Sequence, residues 1–193
     1  MAETFFLGEN NNKFLTSAGD EFQWRQPDAM SRRYELLRQD DLFGTLEFRS
    51  MLGTLAWSQD PVQPWSFKRV GFLNMHITIR MPDADSDYAL FDPKFIGGGT
   101  LHMPDGRPFN WEPVNFWRTR WHFTDRSGHP VLVFEEGAED HKLSDLFKLQ
   151  AKMTVASGRM TNMDFSMLAN LGFYLMVLHR MDVAAASAAS SST

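Results

Sequence analysis

Apolar and polar residues alternate along most of this chain with a period of two, the spacing of a strand that buries one face. In residues 75–81, Met75, Ile77, Ile79 and Met81 take one face while His76, Thr78 and Arg80 take the other. Trp117, Thr119, Trp121 and Phe123 alternate with Arg118, Arg120 and His122. Leu149, Ala151, Met153 and Val155 alternate with Lys148, Gln150, Lys152 and Thr154. Shorter strands are expected at 4–7, 13–16, 21–25, 33–38, 45–48, 54–57, 66–72, 88–91, 100–103, 109–112 and 131–135. Turn chemistry separates them, at Gly19-Asp20, Asp40-Asp41, Pro104-Asp105-Gly106 and Asp125-Arg126-Ser127-Gly128. A Gly-Thr-Leu triplet beginning at Gly44, Gly53 and Gly99 is expected to open a strand each time, as a weakly repeated hairpin unit.

The pattern changes once. Residues 165–178 (FSMLANLGFYLMVL) are apolar around the whole circumference of a helix, and a helix without a polar face needs enclosure. The segment is shorter than the roughly 20 apolar residues that span a bilayer, so a buried core helix is the first reading and a membrane anchor the competing one. A long run of strands precedes it. The economical architecture is a closed antiparallel sheet wrapped around one apolar helix near 163–181. Thr161, Asn162 or Asp164 supplies the N-cap, and His179 and Arg180 place positive charge at the other end of the helix. Beyond Asp182 the chain reads VAAASAASSST, which has nothing to bury. Residues 1–182 are therefore expected to form one domain, and 183–193 to be a disordered tail.

Composition narrows the function classes. Seventeen Phe and six Trp suit strands around a wide interior. A formal net charge of -5 argues against a nucleic-acid partner, because phosphate neutralisation calls for a basic excess. Without cysteine there is no disulfide, thiolate nucleophile or cysteine zinc site, which fits a cytoplasmic protein, peripheral at a membrane at most. Residues 1–9 lack a basic n-region, so export is not expected.

Candidate chemistry is sparse. Asp83, Asp85 and Asp87 have the spacing of the first ligands of a calcium loop, but Tyr88 stands where the turn glycine belongs and Lys94 where the bidentate Glu belongs. A solvated hairpin loop is the simpler reading, and no metal is assigned. His76, His102, His122, His129, His141 and His179 form no helical ligand pair. No GxSxG elbow is present, and Gly97-Gly98-Gly99 is too short for a phosphate loop. Glu135, Glu136, Glu139 and Asp140 cluster ahead of Lys142 as a solvated acidic turn. No catalytic residue and no cofactor are assigned. The charges that stand out are Lys68, Arg69, Arg80, Arg118 and Arg120: with Arg118 and Arg120 on one strand face beside the others, they would clamp an anionic headgroup. Otherwise they solvate the outside of the sheet and pair with neighbouring carboxylates.

The order of these segments resembles the tubby C-terminal-like superfamily, which includes the LURP-one-related proteins, the phospholipid scramblases and small bacterial members. The residues that carry the resemblance are Tyr34-Glu35-Leu36-Leu37 before Gly44-Thr45-Leu46, then residues 65–72 (WSFKRVGF) leading into Ile77-Thr78-Ile79-Arg80. Gly98-Gly99-Thr100-Leu101 with Asp105-Gly106 follows, then Asn115-Phe116-Trp117 to Trp121-His122-Phe123 with Asp125 and Gly128, and finally Leu171-Gly172-Phe173-Tyr174-Leu175. The match covers about residues 2–181. It implies a closed antiparallel barrel of about twelve strands threaded by the C-terminal helix. It also implies, by analogy with tubby proteins and scramblases, a link to phosphoinositides or membranes. The leading expectation is thus a non-enzymatic binding or scaffold domain for an anionic lipid headgroup, a membrane surface or a protein partner. A scramblase-like protein anchored by its C-terminal helix is the alternative, and an enzyme working inside the barrel comes third.

Overall fold

In a computed structural model, which describes residues 16–94, 97–137 and 149–190, the chain folds as a closed antiparallel barrel around one helix. The strands are β1 (Glu21–Arg25), β2 (Arg33–Arg38), β3 (Asp41–Phe48), β4 (Ala56–Gln59), β5 (Trp65–Val70) and β6 (His76–Arg80). They continue as β7 (Ala89–Pro93), β8 (Gly99–His102), β9 (Pro108–Pro113), β10 (Arg120–Thr124), β11 (Pro130–Glu136) and β12 (Ala151–Val155), followed by helix α1 (Asn162–Ser190). Each strand pairs with its neighbours in sequence, and β1 closes the ring on β12 in the register Glu21↔Thr154 to Trp24↔Ala151. Closure removes every sheet edge. The strands expected at 4–7 and 13–16 lie in or run into residues outside those described, as do Glu139, Asp140, His141 and Lys142 of the acidic turn and residues 191–193 of the tail.

The period-two pattern is realised as inside and outside. Phe22 and Trp24, Tyr34 and Leu36, Leu46 and Phe48, Trp65 and Phe67, Ile77 and Ile79, and Trp121 and Phe123 all point inward and are buried. Helix α1 fills the space they enclose. Every residue from Asp164 to Leu178 is buried, so the continuously apolar stretch is the one that touches barrel wall all round. Trp24 stacks on Phe173 with ring centroids 4.5 Å apart, Phe48 stacks on Tyr174 at 5.4 Å, and Phe22 packs on Phe165 at 5.3 Å. Such pairs add about 0.5–1.5 kcal/mol each beyond area burial. Gly172 lets α1 approach β11: a Cβ there would lie 2.7 Å from Cε2 of Phe134.

A reciprocal cap starts the helix. The Asp164 amide donates to Thr161 Oγ1 at 3.0 Å, and the Thr161 amide donates to Asp164 Oδ2 at 3.1 Å. Arg107 secures the same carboxylate with two N–H bonds of 2.9 and 3.0 Å. One turn on, Trp65 Nε1–H donates to Ser166 Oγ at 2.9 Å, and Ser166 Oγ–H and Asn170 Nδ2–H both donate to Asp60 Oδ2, at 2.7 and 2.8 Å. The polar residues of the apolar segment are thereby engaged at the end where α1 enters.

Four expectations are corrected. Trp117 does not face the interior: β10 begins only at Arg120, and Trp117 stands exposed in the connection before it. His179 and Arg180 are not the end of the helix, because α1 runs on to Ser190. Residues 183–190 of the tail expected to be disordered continue it as an exposed helical extension, with Ser187 Oγ donating to the Val183 carbonyl. Of the three Gly-Thr-Leu triplets, only the one at Gly99 opens a strand. Gly44 sits within β3, where the register to β2 shifts, and Gly53 precedes β4.

Candidate functional site

Antiparallel order sends every second connection to the same end of the barrel. Residues 26–32, 49–55, 71–75, 94, 97–98 and 114–119 all lie at the end where α1 leaves, and Arg69, Glu136 and Arg32 contact Asp182, Arg180 and Met181 there. The opposite end carries the turns at 39–40, 60–64, 81–88, 103–107 and 125–129. The charges divide accordingly. Among the described residues, the connections of the entry end hold Asp40, Asp60, Asp83, Asp85, Asp87, Asp105 and Asp125 against Arg107, Arg126 and Arg159. The connections of the exit end and the helix extension hold Arg32, Arg49, Lys94, Arg118 and Arg180 against Asp28 and Asp182, with Arg69 and Glu136 at the strand ends beside them.

A cavity of about 470 Å³ opens at the exit end between α1 and the wall formed by β5 to β10. Its floor is apolar, with Ile77, Phe91, Trp111, Trp121, Leu175 and Leu178. Its mouth carries Arg69, Lys94, Arg118, His179 and Asp182. That volume suits a small ligand. Arg118 and His179 also line an adjoining depression with Trp117, Glu136, Arg180 and Val183.

Local structure sets each of these cations. Asn115 ties the 114–119 connection: its Oδ1 accepts from the Thr119 and Arg120 amides at 3.0 and 3.2 Å, and its Nδ2–H donates to Thr119 Oγ1 at 2.7 Å. The tight turn puts Arg118 at a φ of 55°, a region few side chains occupy, and Trp121 Nε1–H closes on its carbonyl at 2.8 Å. Gly97, at φ 94°, leaves room for the Arg118 guanidinium, since a Cβ there would sit 3.4 Å from Nη1. Arg69 at the end of β5 donates through Nη1 to both oxygens of Asp182, at 2.9 and 2.8 Å. His179 meets Trp121 edge to face at 5.5 Å, and Lys94 Nζ is 3.9 Å from Glu112.

The five cations singled out in the sequence separate into two groups. Arg69 and Arg118 converge on the cavity, whereas Lys68 points outward from the middle of β5 and Arg80 is tied to Asp87 at 2.6 Å on the far side. Arg120 is exposed on β10 opposite Glu135. Arg118 and Arg120 share no strand face, because the left-handed residue ends the pleat between them. Lys94 and His179 join the cavity without a sequence signal of their own. Counting alternate connections in a closed antiparallel sheet would have placed Lys94 at this end, whereas His179 is brought there by the exit of α1.

Elsewhere the candidates stay dispersed. The Asp83, Asp85 and Asp87 loop overhangs a separate side groove of about 550 Å³ that includes Glu47, Trp57, Arg80 and Asp83. Its charges are mixed, and Asp87 is engaged by Arg80. Among the described residues no three His, Asp or Glu side chains converge as a metal-binding group. Two histidines pair singly, His102 with Asp92 at 3.2 Å and His129 with Asp125 at 3.7 Å. No described helix is long and apolar enough to cross a membrane. No family model, curated protein or solved structure matches the chain.

Proposed function

We propose that the chain is a non-enzymatic binding domain that takes an anionic group, the headgroup of an acidic lipid, in the cavity at the helix-exit end. The observation that carries the reading is the meeting of Arg69, Arg118, Lys94 and His179 at the mouth of one cavity with an apolar floor. Two guanidinium groups present planar forks that suit phosphate or carboxylate oxygens, and an apolar floor receives the uncharged remainder of the ligand. Asp182 acts as an internal stand-in for the anion, holding Arg69 in place with two hydrogen bonds. The barrel and its helix are also the architecture that the tubby-like resemblance implies, and kinship with that superfamily is part of the proposal.

Two competing readings meet opposing geometry. An anchor made of residues 165–178 would have to be drawn out of the barrel, uncovering Phe22, Trp24, Phe48 and Phe67 along with the helix itself. An enzyme working in the lumen would need the space that α1 fills.

The test is calorimetric titration of the full chain with glycerophosphoserine and with an inositol phosphate. Binding is expected at low salt, to weaken as salt screens the contacts, and to fall about tenfold or more in Arg118→Ala, since a hydrogen bond to a charged group contributes about 1.5–3 kcal/mol. Binding that is absent at low salt, or unchanged in Arg118→Ala and Lys94→Ala, overturns the reading.

A further inference from the structure

Among the described residues, the large apolar side chains left in water are concentrated at one end of the barrel. Phe72 and Leu73 are 95% and 92% exposed at the tip of one exit-end connection, Leu52 is 92% exposed beside Met51 on the next, and Phe116 and Trp117 are 90% and 80% exposed on a third. Among the described residues, the large exposed apolar side chains away from this end are Leu42, Trp57 and Leu90.

Each pair is held outward by its own loop. The Arg32 guanidinium donates to the carbonyls of Ser50, Met51 and Gly53 at 2.7–2.9 Å, so the backbone turns in and the side chains turn out. Gly71, at φ 86°, has no room for a Cβ against the Asn74 carbonyl, and so fixes the turn that carries Phe72 and Leu73. The hydrogen bonds of Asn115 do the same for Phe116 and Trp117. Holding two adjacent large apolar residues in water at three separate tips is unfavourable unless something covers them.

We infer that the helix-exit end docks on an anionic lipid bilayer, with these three apolar tips entering the headgroup and acyl boundary around the cationic cavity. This rests on the anionic-headgroup reading of the cavity and extends it to an oriented membrane surface. Charge selects the occupant. The exit end is cationic among the described residues and the entry end acidic, so an anionic surface attracts the first and repels the second, which orients the barrel end-on. A second copy of the chain meeting this face would oppose cation to cation. Two of the tips stand on loops on either side of the cavity, since Leu73 and Arg118 both border it, and Met51 and Leu52 stand on the exit-end connection next to that of Leu73. A bilayer accepts such separate projections without matching relief, whereas a protein surface would need it. Trp and Phe at such tips suit the interfacial layer.

The experiment is flotation of the full chain with vesicles of phosphatidylcholine alone or with added phosphatidylserine, using wild type, F72S/L73S and F116S/W117S. These side chains are exposed, so the variants keep the wild-type circular dichroism and melting profile. Wild type is expected to float with the acidic vesicles and not with the neutral ones. Each double variant is expected to lose about tenfold or more in partitioning, as removal of one large buried apolar group predicts. Trp117 fluorescence should be quenched by brominated acyl chains, and a W117F control should lose that quenching. Equal flotation of wild type and both double variants overturns the inference, as does flotation that ignores lipid charge. Self-association in the absence of lipid that F72S/L73S abolishes would give the face to a second copy and likewise overturn it. Glycerophosphoserine binding with tip-independent flotation would sink the docking while leaving the cavity reading intact. Tip-dependent flotation without headgroup binding would do the reverse.

Discussion

Gly172 gives the sharpest test of how closely the helix fills the barrel. In an exposed helix interior, Gly→Ala stabilises by about 1 kcal/mol, through backbone entropy. Here the added Cβ would lie 2.7 and 3.0 Å from two ring carbons of Phe134 and would overlap a third, Cζ. Carbon atoms rest about 3.5–4.0 Å apart, so the ring would have to retreat by about 1 Å. It has nowhere to go: Phe134 is fully buried and backed by Trp111 at 5.3 Å and Phe123 at 6.4 Å. Overpacking of that kind costs about 1–3 kcal/mol. Against the propensity gain, Gly172→Ala is expected to destabilise by up to about 2 kcal/mol net. Urea titration followed by circular dichroism reads this as a lower midpoint at unchanged slope. Replacing the ring by Phe134→Leu removes the obstacle, so on that background the same Gly172→Ala should become neutral or stabilising. The interaction energy of the cycle should equal the overpacking cost, about 1–3 kcal/mol. A Gly172→Ala protein about 1 kcal/mol more stable than wild type would refute close packing of this helix face on β11.

Arg107→Ala should cost about 1.5–3 kcal/mol, read by denaturant titration, because the buried Asp164 carboxylate loses its hydrogen bonds to a half-exposed cation; adding Asp164→Asn should restore part of the loss. Tyr174→Phe should lower stability by about 1–2 kcal/mol, since Tyr174 Oη–H donates at 2.7 Å to a Thr54 carbonyl that would lose its partner. Burial holds the His122 imidazole below its ordinary pKa, so the native state resists protonation. Its contribution is complete above the unfolded value of about 6.5 and diminishes as pH falls below it. Melting curves of His122→Gln should accordingly show a smaller loss between neutral and mildly acidic pH than wild type, and an equal loss would contradict this. Deleting residues 184–193 should leave the melting temperature unchanged, as the described part, 184–190, is exposed; a drop of several degrees would show that the extension packs on the barrel.

The Gly172 clash and the loop tips mark where sequence information ended. Alternation at Ile77 and Ile79, at Trp121 and Phe123 and at Met153 and Val155 identified the barrel wall, because a strand with one wet face must repeat every second residue. The stretch 165–178, apolar on every side but for Ser166 and Asn170, identified the enclosed helix, because a helix without a polar face has to be covered on all sides. What one dimension could not contain was which residues far apart in the chain meet. Arg69 and Arg118 share a cavity only because the sheet closes. Lys68 and Arg80, equally basic in the sequence, are carried elsewhere by the pleat and by Asp87. At Trp117 the alternation misled, since Asn115 holds the chain in a left-handed turn and the pleat starts three residues later. The sequence alone thus determined wall, helix and their polarity, for those are set by local periodicity and burial. The tertiary structure alone decided the cationic cavity and the apolar rim, because closing the barrel brings alternate connections to one end, and no local pattern records that meeting.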